Sequence, residues 1–152
     1  MVENETKRIN QAKEALKGYR WMLKRRDELV REMDESYDRA TSCTLRLKPN
    51  KTSGGNASYD RMAEDVVRIA DTKERLKGKI AELDAKLAEI LAMVDHVNDE
   101  RGRVILTMRY VRGMRWEDIQ REMHYSERQV KRLHGFALLD INRHFFPKKD
   151  PK

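Results

Sequence analysis

Residues 116–141 read WEDIQREMHYSERQVKRLHGFALLDI, and this stretch decides the fold. Trp116, Ile119 and Met123 share one face at three- and four-residue spacing, which predicts a short helix from Trp116 to Met123. His124 and Tyr125 then make a tight turn. Ser126 and Gln129 form an S-x-x-Q capping box, whose reciprocal bonds satisfy free amides at a helix start. The helix that follows buries Val130, Leu133, Ala137, Leu138 and Ile141 on one side and presents Glu127, Arg128, Lys131 and Arg132 on the other. A short helix, a brief turn and a longer capped helix with a polar, basic leading face is the layout of a helix-turn-helix, whose second helix enters the major groove N-terminus first.

Working toward the N-terminus, Gly113 breaks an earlier helix that Asn98 or Asp99 can cap, that continues to about Val111 and that carries Ile105, Leu106, Met108 and Tyr110. Before Asn98 the pattern changes to heptads. One apolar series runs Ile9, Ala12, Leu16, Tyr19, Leu23, Val30, Met33, Tyr37 and Ala40, interrupted by Arg26. A second runs Met62, Val66, Ile69, Leu76, Ile80, Leu83, Leu87, Ile90, Val94 and Val97, interrupted by Lys73. Between them lies LKPNKTSGGNAS, a loop at about 46–57. Leu16 with Leu83, Leu23 with Leu76, Val30 with Ile69 and Met33 with Val66 have numbers that each sum to 99. That register predicts an antiparallel coiled-coil hairpin of helices about 40 residues and roughly 60 Å long. It sets Arg26 opposite Lys73, with Asp27 or Glu74 as outlets for their charges. Ala15, Met22 and Leu29 form a further stripe that a two-helix hairpin leaves over, which suggests packing against a second copy or a partner.

The expected protein is therefore all-α: a coiled-coil hairpin over 1–97, a helix-turn-helix domain over 98–146 and a basic tail over 147–152. Of its 152 residues 39% are hydrophobic and 39% charged, a balance suited to long solvated helices rather than a thick core. Residues 1–100 hold 20 Lys/Arg and 20 Asp/Glu, so the net charge of +7 sits entirely in residues 101–152, with 13 and 6. That asymmetry marks the C-terminal part as the polyanion-binding module, expected to bind DNA non-specifically even when isolated.

At about Arg103–Ile141 the chain resembles the fourth conserved region of bacterial sigma factors. VILTMRY-VRG-MRWEDI stands where that family has an apolar helix ending in Leu-Arg-Tyr, then a glycine, an aromatic, two acids and an isoleucine; SERQVKRL resembles its recognition helix. With the preceding coiled coil, the chain resembles small phage-encoded late transcriptional activators of the RinA/ArpU type. The resemblance implies that Ser126, Glu127, Arg128, Gln129 and Arg132, with Lys131 beside them, face base edges and adjacent phosphates. It implies phosphate contacts for Arg112, Arg115 and Arg121, although Arg115 stands where the family often has a small hydroxyl residue. Double-stranded DNA, RNA polymerase and a second copy of the chain are the implied partners, on the nucleoid of a bacterial cytoplasm.

Other chemistries find little support in the residues. Cys43 is the only cysteine, so no intrachain disulfide or cysteine-based zinc site is available. His96, His124, His134 and His144 include no i, i+4 pair, and solvated or capping roles are expected for them. No phosphate-binding glycine loop, catalytic triad or metalloprotease spacing occurs, so neither an enzyme nor a cofactor is expected. MVENETKRIN has no apolar core segment, and no run approaches the ~18 apolar residues of a membrane span. Two rival readings remain open: a phage DNA-packaging subunit of the small-terminase kind, and a coiled-coil adaptor for RNA polymerase.

Overall fold

A computed structural model describes residues 2–46 and 57–147, which lie in six α-helices and one π-helical turn with no strand among them. The helices are α1 (Val2–Lys17), α2 (Tyr19–Arg46), α3 (Ala57–Asp95), α4 (Glu100–Leu106), α5 (Trp116–Met123) and α6 (Glu127–Phe145). The expected loop and most of the expected basic tail lie outside the described residues, as does the Cys43 side chain. No helix among the described residues is long and apolar enough to cross a membrane.

The chain divides into two compact units, one built from the chain up to Leu23 and from Lys86 onward, the other from Lys24–Ala85. This differs from the boundary expected at 97/98. The physical reason is a shared hydrophobic core. Ala12, Leu16 and Tyr19 meet Leu87, Ile90, Met93 and Val94 of α3 and Val97 just after it, and both groups pack with Leu106, Tyr110, Ala137, Leu138 and Ile141. Polar ties run alongside: Asn142 Nδ2 donates to Gln11 Oε1 at 3.4 Å, and the Asn98 amide and side chain both donate to Asp140 Oδ2. Ala15 and Met22, expected on a spare stripe, are half-buried against this core. The stripe is thus used within the chain, at least at these two positions.

A second cluster of the same unit joins Ile105, Met108, Ile119, Val130 and Leu133, with Trp116, Met123 and Tyr125 packed at its edge. Asp99 caps α4 by accepting from the Arg101 amide. The helix beginning there does not run regularly to Val111. It widens into a π-helical turn at Thr107–Val111, and Gly113, at φ 72°, reverses the chain so that the Met114 amide reaches back to the Met108 carbonyl at 2.9 Å. Only glycine takes that conformation without a steric cost.

In the other unit, α2 and α3 run antiparallel. Arg26 Nε donates to Asp84 Oδ1 at 2.9 Å, and Lys73 Nζ lies 5.5 Å from the Tyr37 ring centre. Both pairs have numbers that sum to 110, not 99. Helical side chains lean toward their own N-terminus, so touching tips on antiparallel helices belong to backbones that have passed one another by a few residues. The contact sum therefore exceeds the level of the backbones, and the contacts seen do not pair Arg26 with Lys73. Arg26 gains Asp84 beside its expected neighbour Asp27, and these carboxylates hold its guanidinium proton more tightly than usual. Leu29 and Leu76 are buried, while Tyr37 and Val66 are 60% and 59% exposed. The seam therefore closes well over only part of its length.

The shared core yields an expected outcome for a fragment covering 98–152. It lacks every α1, α2 and α3 residue of the larger cluster, and each large apolar side chain buried there is worth about 1.5–3 kcal/mol. Losing several exceeds the whole stability of an ordinary domain, about 5–15 kcal/mol. By circular dichroism the fragment should melt without the cooperative transition of the full chain. A sharp transition in the fragment would contradict the shared core.

Candidate functional site

Helix α5 ends at Met123 because His124 adopts the left-handed conformation, at φ 55°, and its amide closes back on Gln120 and Arg121. Asn or Gly is the common residue there, so His124 gave no sequence signal of this role. Tyr125 donates to the Gln120 carbonyl at 3.1 Å, and Ser126 then starts α6. The expected capping box is formed: Ser126 Oγ accepts from the Gln129 amide, while Gln129 Oε1 accepts from the Ser126 amide at 2.9 Å. Val130, Leu133, Ala137, Leu138 and Ile141 are all buried, as their spacing predicts.

Ser126, Glu127, Arg128, Gln129, Lys131 and Arg132 are all exposed, on the first turns of α6. Their chemistry is not equivalent. Ser126 and Gln129 direct their side chains to the cap, and the Ser126 hydroxyl also lies 2.9 Å from Gln129 Oε1. Glu127 forms an ion pair with Lys131 one turn on, which lowers the Glu127 pKa and tempers the lysine charge. Among the described residues, no carboxylate lies within ion-pair distance of Arg128 or Arg132. These two arginines, four residues apart, are the uncompensated charges of the face.

Arg112, Arg115 and Arg121 are exposed around α5. Arg115 occupies the N-cap position of α5 and supplies no side-chain bond to it, as a residue without a short hydroxyl or carboxamide would. Arg121 pairs at 3.6 Å with Asp118. Two further residues belong beside the α6 face and were not legible in the sequence. A cavity of about 240 Å³ lies between Asp99, Arg101, Tyr125, Gln129, Arg132 and Phe136, and the Phe136 ring is 59% exposed there. Arg101 is bonded to Asp99, which raises its own pKa and lowers that of the carboxylate.

On another side of α6, His134 Nε2 and the Tyr110 hydroxyl are 3.0 Å apart, with Trp116 edge-on to the imidazole. Burial pushes Tyr110 up to about 12, so it keeps its proton. Burial first, and then the positive charges of Lys13 and Arg109, push His134 down to about 4. His96 and His144, distant in sequence, have ring centres 3.5 Å apart. Among the described residues no group of three or more His, Cys, Asp or Glu is placed to hold a metal ion.

The His134 environment makes stability pH-dependent. An unfolded imidazole titrates near 6.5, so between that value and about 4 the unfolded chain binds a proton that the native chain refuses. Stability from this group is complete above the unfolded value and falls as the pH drops through the window, by about 2–3 kcal/mol in all. Urea midpoints measured from pH 7.5 to 4 should decline, and His134→Gln, which offers Tyr110 a polar partner that does not titrate, should flatten the curve. An unchanged slope in that variant would show that the proton is taken up elsewhere.

No curated protein and no solved structure matches the chain. One family model matches it over residues 41–142, about two thirds of its length, from the end of α2 through most of α6. That family is described as a protein of unknown function, DUF1492, and the chain belongs to it.

Proposed function

We propose that the chain is a sequence-specific double-stranded DNA-binding regulator of transcription. In this reading α5, the turn at His124–Tyr125 and α6 act as a helix-turn-helix, and α2 with α3 form a coiled-coil hairpin. The observation that carries the reading is the start of α6. It is capped by its own side chains, its apolar stripe is buried, and Arg128 and Arg132 stand exposed on the remaining side with no carboxylate partner among the described residues. An arginine held on a rigid helix can donate two parallel bonds to guanine O6 and N7, which reads sequence in the major groove. Such a helix end also favours a phosphate near its free amides.

In this reading the residues of the face divide the work. Arg128 and Arg132 are the base-reading residues. Ser126 and Gln129 act chiefly by fixing the helix start, and Glu127 with Lys131 holds the flank. Arg112, Arg115 and Arg121 contact phosphates, which position the protein without carrying sequence information. The resemblance to RinA/ArpU-type activators supports a phage-encoded regulator of late genes that engages RNA polymerase. A second copy bound through the hairpin would add a second half-site, raising affinity through effective concentration.

The test is a selection of bound duplexes from a random library with the full chain, followed by titrations over a salt series. One sequence motif should be enriched. On it, Arg128→Ala or Arg132→Ala should lose about 1–3 kcal/mol and relax preference at one base pair. Arg121→Ala should weaken all duplexes about equally and lower the salt slope by roughly one. No enrichment, or sequence preference controlled by Arg121 with the two α6 arginines silent, would overturn the proposal.

A further inference from the structure

A second basic site lies in the same unit, away from the exposed arginines of α6. Lys13 and Lys17 of α1 and Arg20 at the start of α2 fall at spacings of four and three, on one side of the chain across Gly18. Together with Arg109 of the π-helical turn they line a cavity of about 230 Å³, walled also by Tyr110, Gly113 and Trp116. We propose that this cleft is a binding site for a phosphate group.

Four cations share one small cavity, and their charge is scarcely compensated. Among the described residues, only Lys17 has a carboxylate within ion-pair distance, that of Glu14. Lys13, Arg20 and Arg109 have none. Like charges this close repel one another, and the repulsion is felt by His134, whose proton Lys13 and Arg109 disfavour. An anion in the cleft would convert that repulsion into attraction.

The site is also held in shape. The Arg109 guanidinium lies 4.8 Å from the Trp116 ring centre and donates from Nη1 to the Met114 carbonyl at 2.8 Å, so its position is fixed before any ligand arrives. Arg20 lies directly against Gly113, where a Cβ would sit 2.2 Å from its Nη1. Glycine at this left-handed position thus allows the turn and leaves room for the guanidinium. Size and charge set the ligand class. The cavity is below the ~300–1,000 Å³ of sites for drug-sized ligands but suits a phosphate or diphosphate. Planar guanidinium groups match phosphate oxygens with paired bonds, and a multiply charged anion balances this many cations better than a single carboxylate does.

The phosphate could belong to a free small molecule or to a nucleic-acid backbone, and the full chain distinguishes them. The probes are inorganic pyrophosphate and a mixed-sequence duplex, followed by calorimetry and by the indole resonance of Trp116. A free ligand is expected to give saturable pyrophosphate binding that shifts the Trp116 resonance. That binding should weaken at least tenfold in the double variant Lys13→Ala/Arg20→Ala and be unchanged in Arg128→Ala. A backbone source is expected to give no pyrophosphate saturation, but an equal loss of affinity for every duplex in the double variant and a salt slope lower by about two. Lys13→Gln/Arg20→Gln, which keeps part of each stem, serves if the alanine pair melts early. Pyrophosphate binding that leaves Trp116 unmoved overturns the site. So does the absence of any change in both assays with a well-folded double variant. Either result leaves the reading of the α6 face intact, because that reading depends on Arg128 and Arg132.

Discussion

Helix α6 must satisfy two hydrophobic clusters along its length, and the rest of its unit is arranged around that requirement. Val130 and Leu133 near its start pack with Ile105, Met108 and Ile119, while Ala137, Leu138 and Ile141 further on pack with α1, the end of α3, Leu106 and Tyr110. The segment leading out of α4 serves both clusters in turn: Ile105 and Met108 go to one, Leu106 and Tyr110 to the other. Close approach makes this possible. A Cβ on Gly102 would stand 3.0 Å from that of Ala137, so small residues at both places let α4 and α6 come together. With this much of α6 covered, its first turns keep only one side open, and whatever stands there is fixed in direction by the core behind it.

That fixed direction gives the cap its importance. A helix start buried on one side still carries free amides, and here the chain satisfies them itself through Ser126 and Gln129. The two residues are thereby occupied in holding the first turn, and the same turn positions Arg128. Salt-bridging of Glu127 to Lys131 acts similarly on the flank. The result is a helix end where most polar groups already have partners inside the protein, while two arginines have no carboxylate partner among the described residues. An exposed pair of this kind contributes little to stability, since surface charges seldom do. Its position on so well-supported a helix fixes the direction in which the two guanidinium groups are presented.

The local features of this region were legible in the sequence because they depend on residues close to one another in the chain. The α5 span, the capping box, the buried stripe of α6, the Asp99 cap and the break at Gly113 are all decided within a turn or two. Which long side chains of α2 and α3 meet was less legible, for a specific reason: a heptad pattern looks the same after a shift of seven. The ion pair of Arg26 with Asp84 was hidden by that degeneracy, because it depends on which long side chains reach each other between the helices. The compact units do not divide at 97/98 because Ala12 and Leu16, which continue the heptad pattern, pack in one core with the C-terminal helices. Periodicity records which face is buried and says nothing of what buries it.

Charge shows the same limit most clearly. The first hundred residues balance exactly in sign count, twenty against twenty, and that neutrality concealed Lys13, Lys17 and Arg20 as a group. Their balancing acids are mostly elsewhere on α2 and α3, where Glu28, Glu35, Glu64 and Glu74 pair with cations of their own helices. Folding then brings the three beside Arg109, which comes from the basic C-terminal part. Screening confines a surface charge to about 10 Å at ordinary salt, so a carboxylate several turns away along a helix does not neutralise them. The potential a ligand meets is set by the few groups within that distance. It is a property of the tertiary fold, and a sum over a stretch of chain averages it away.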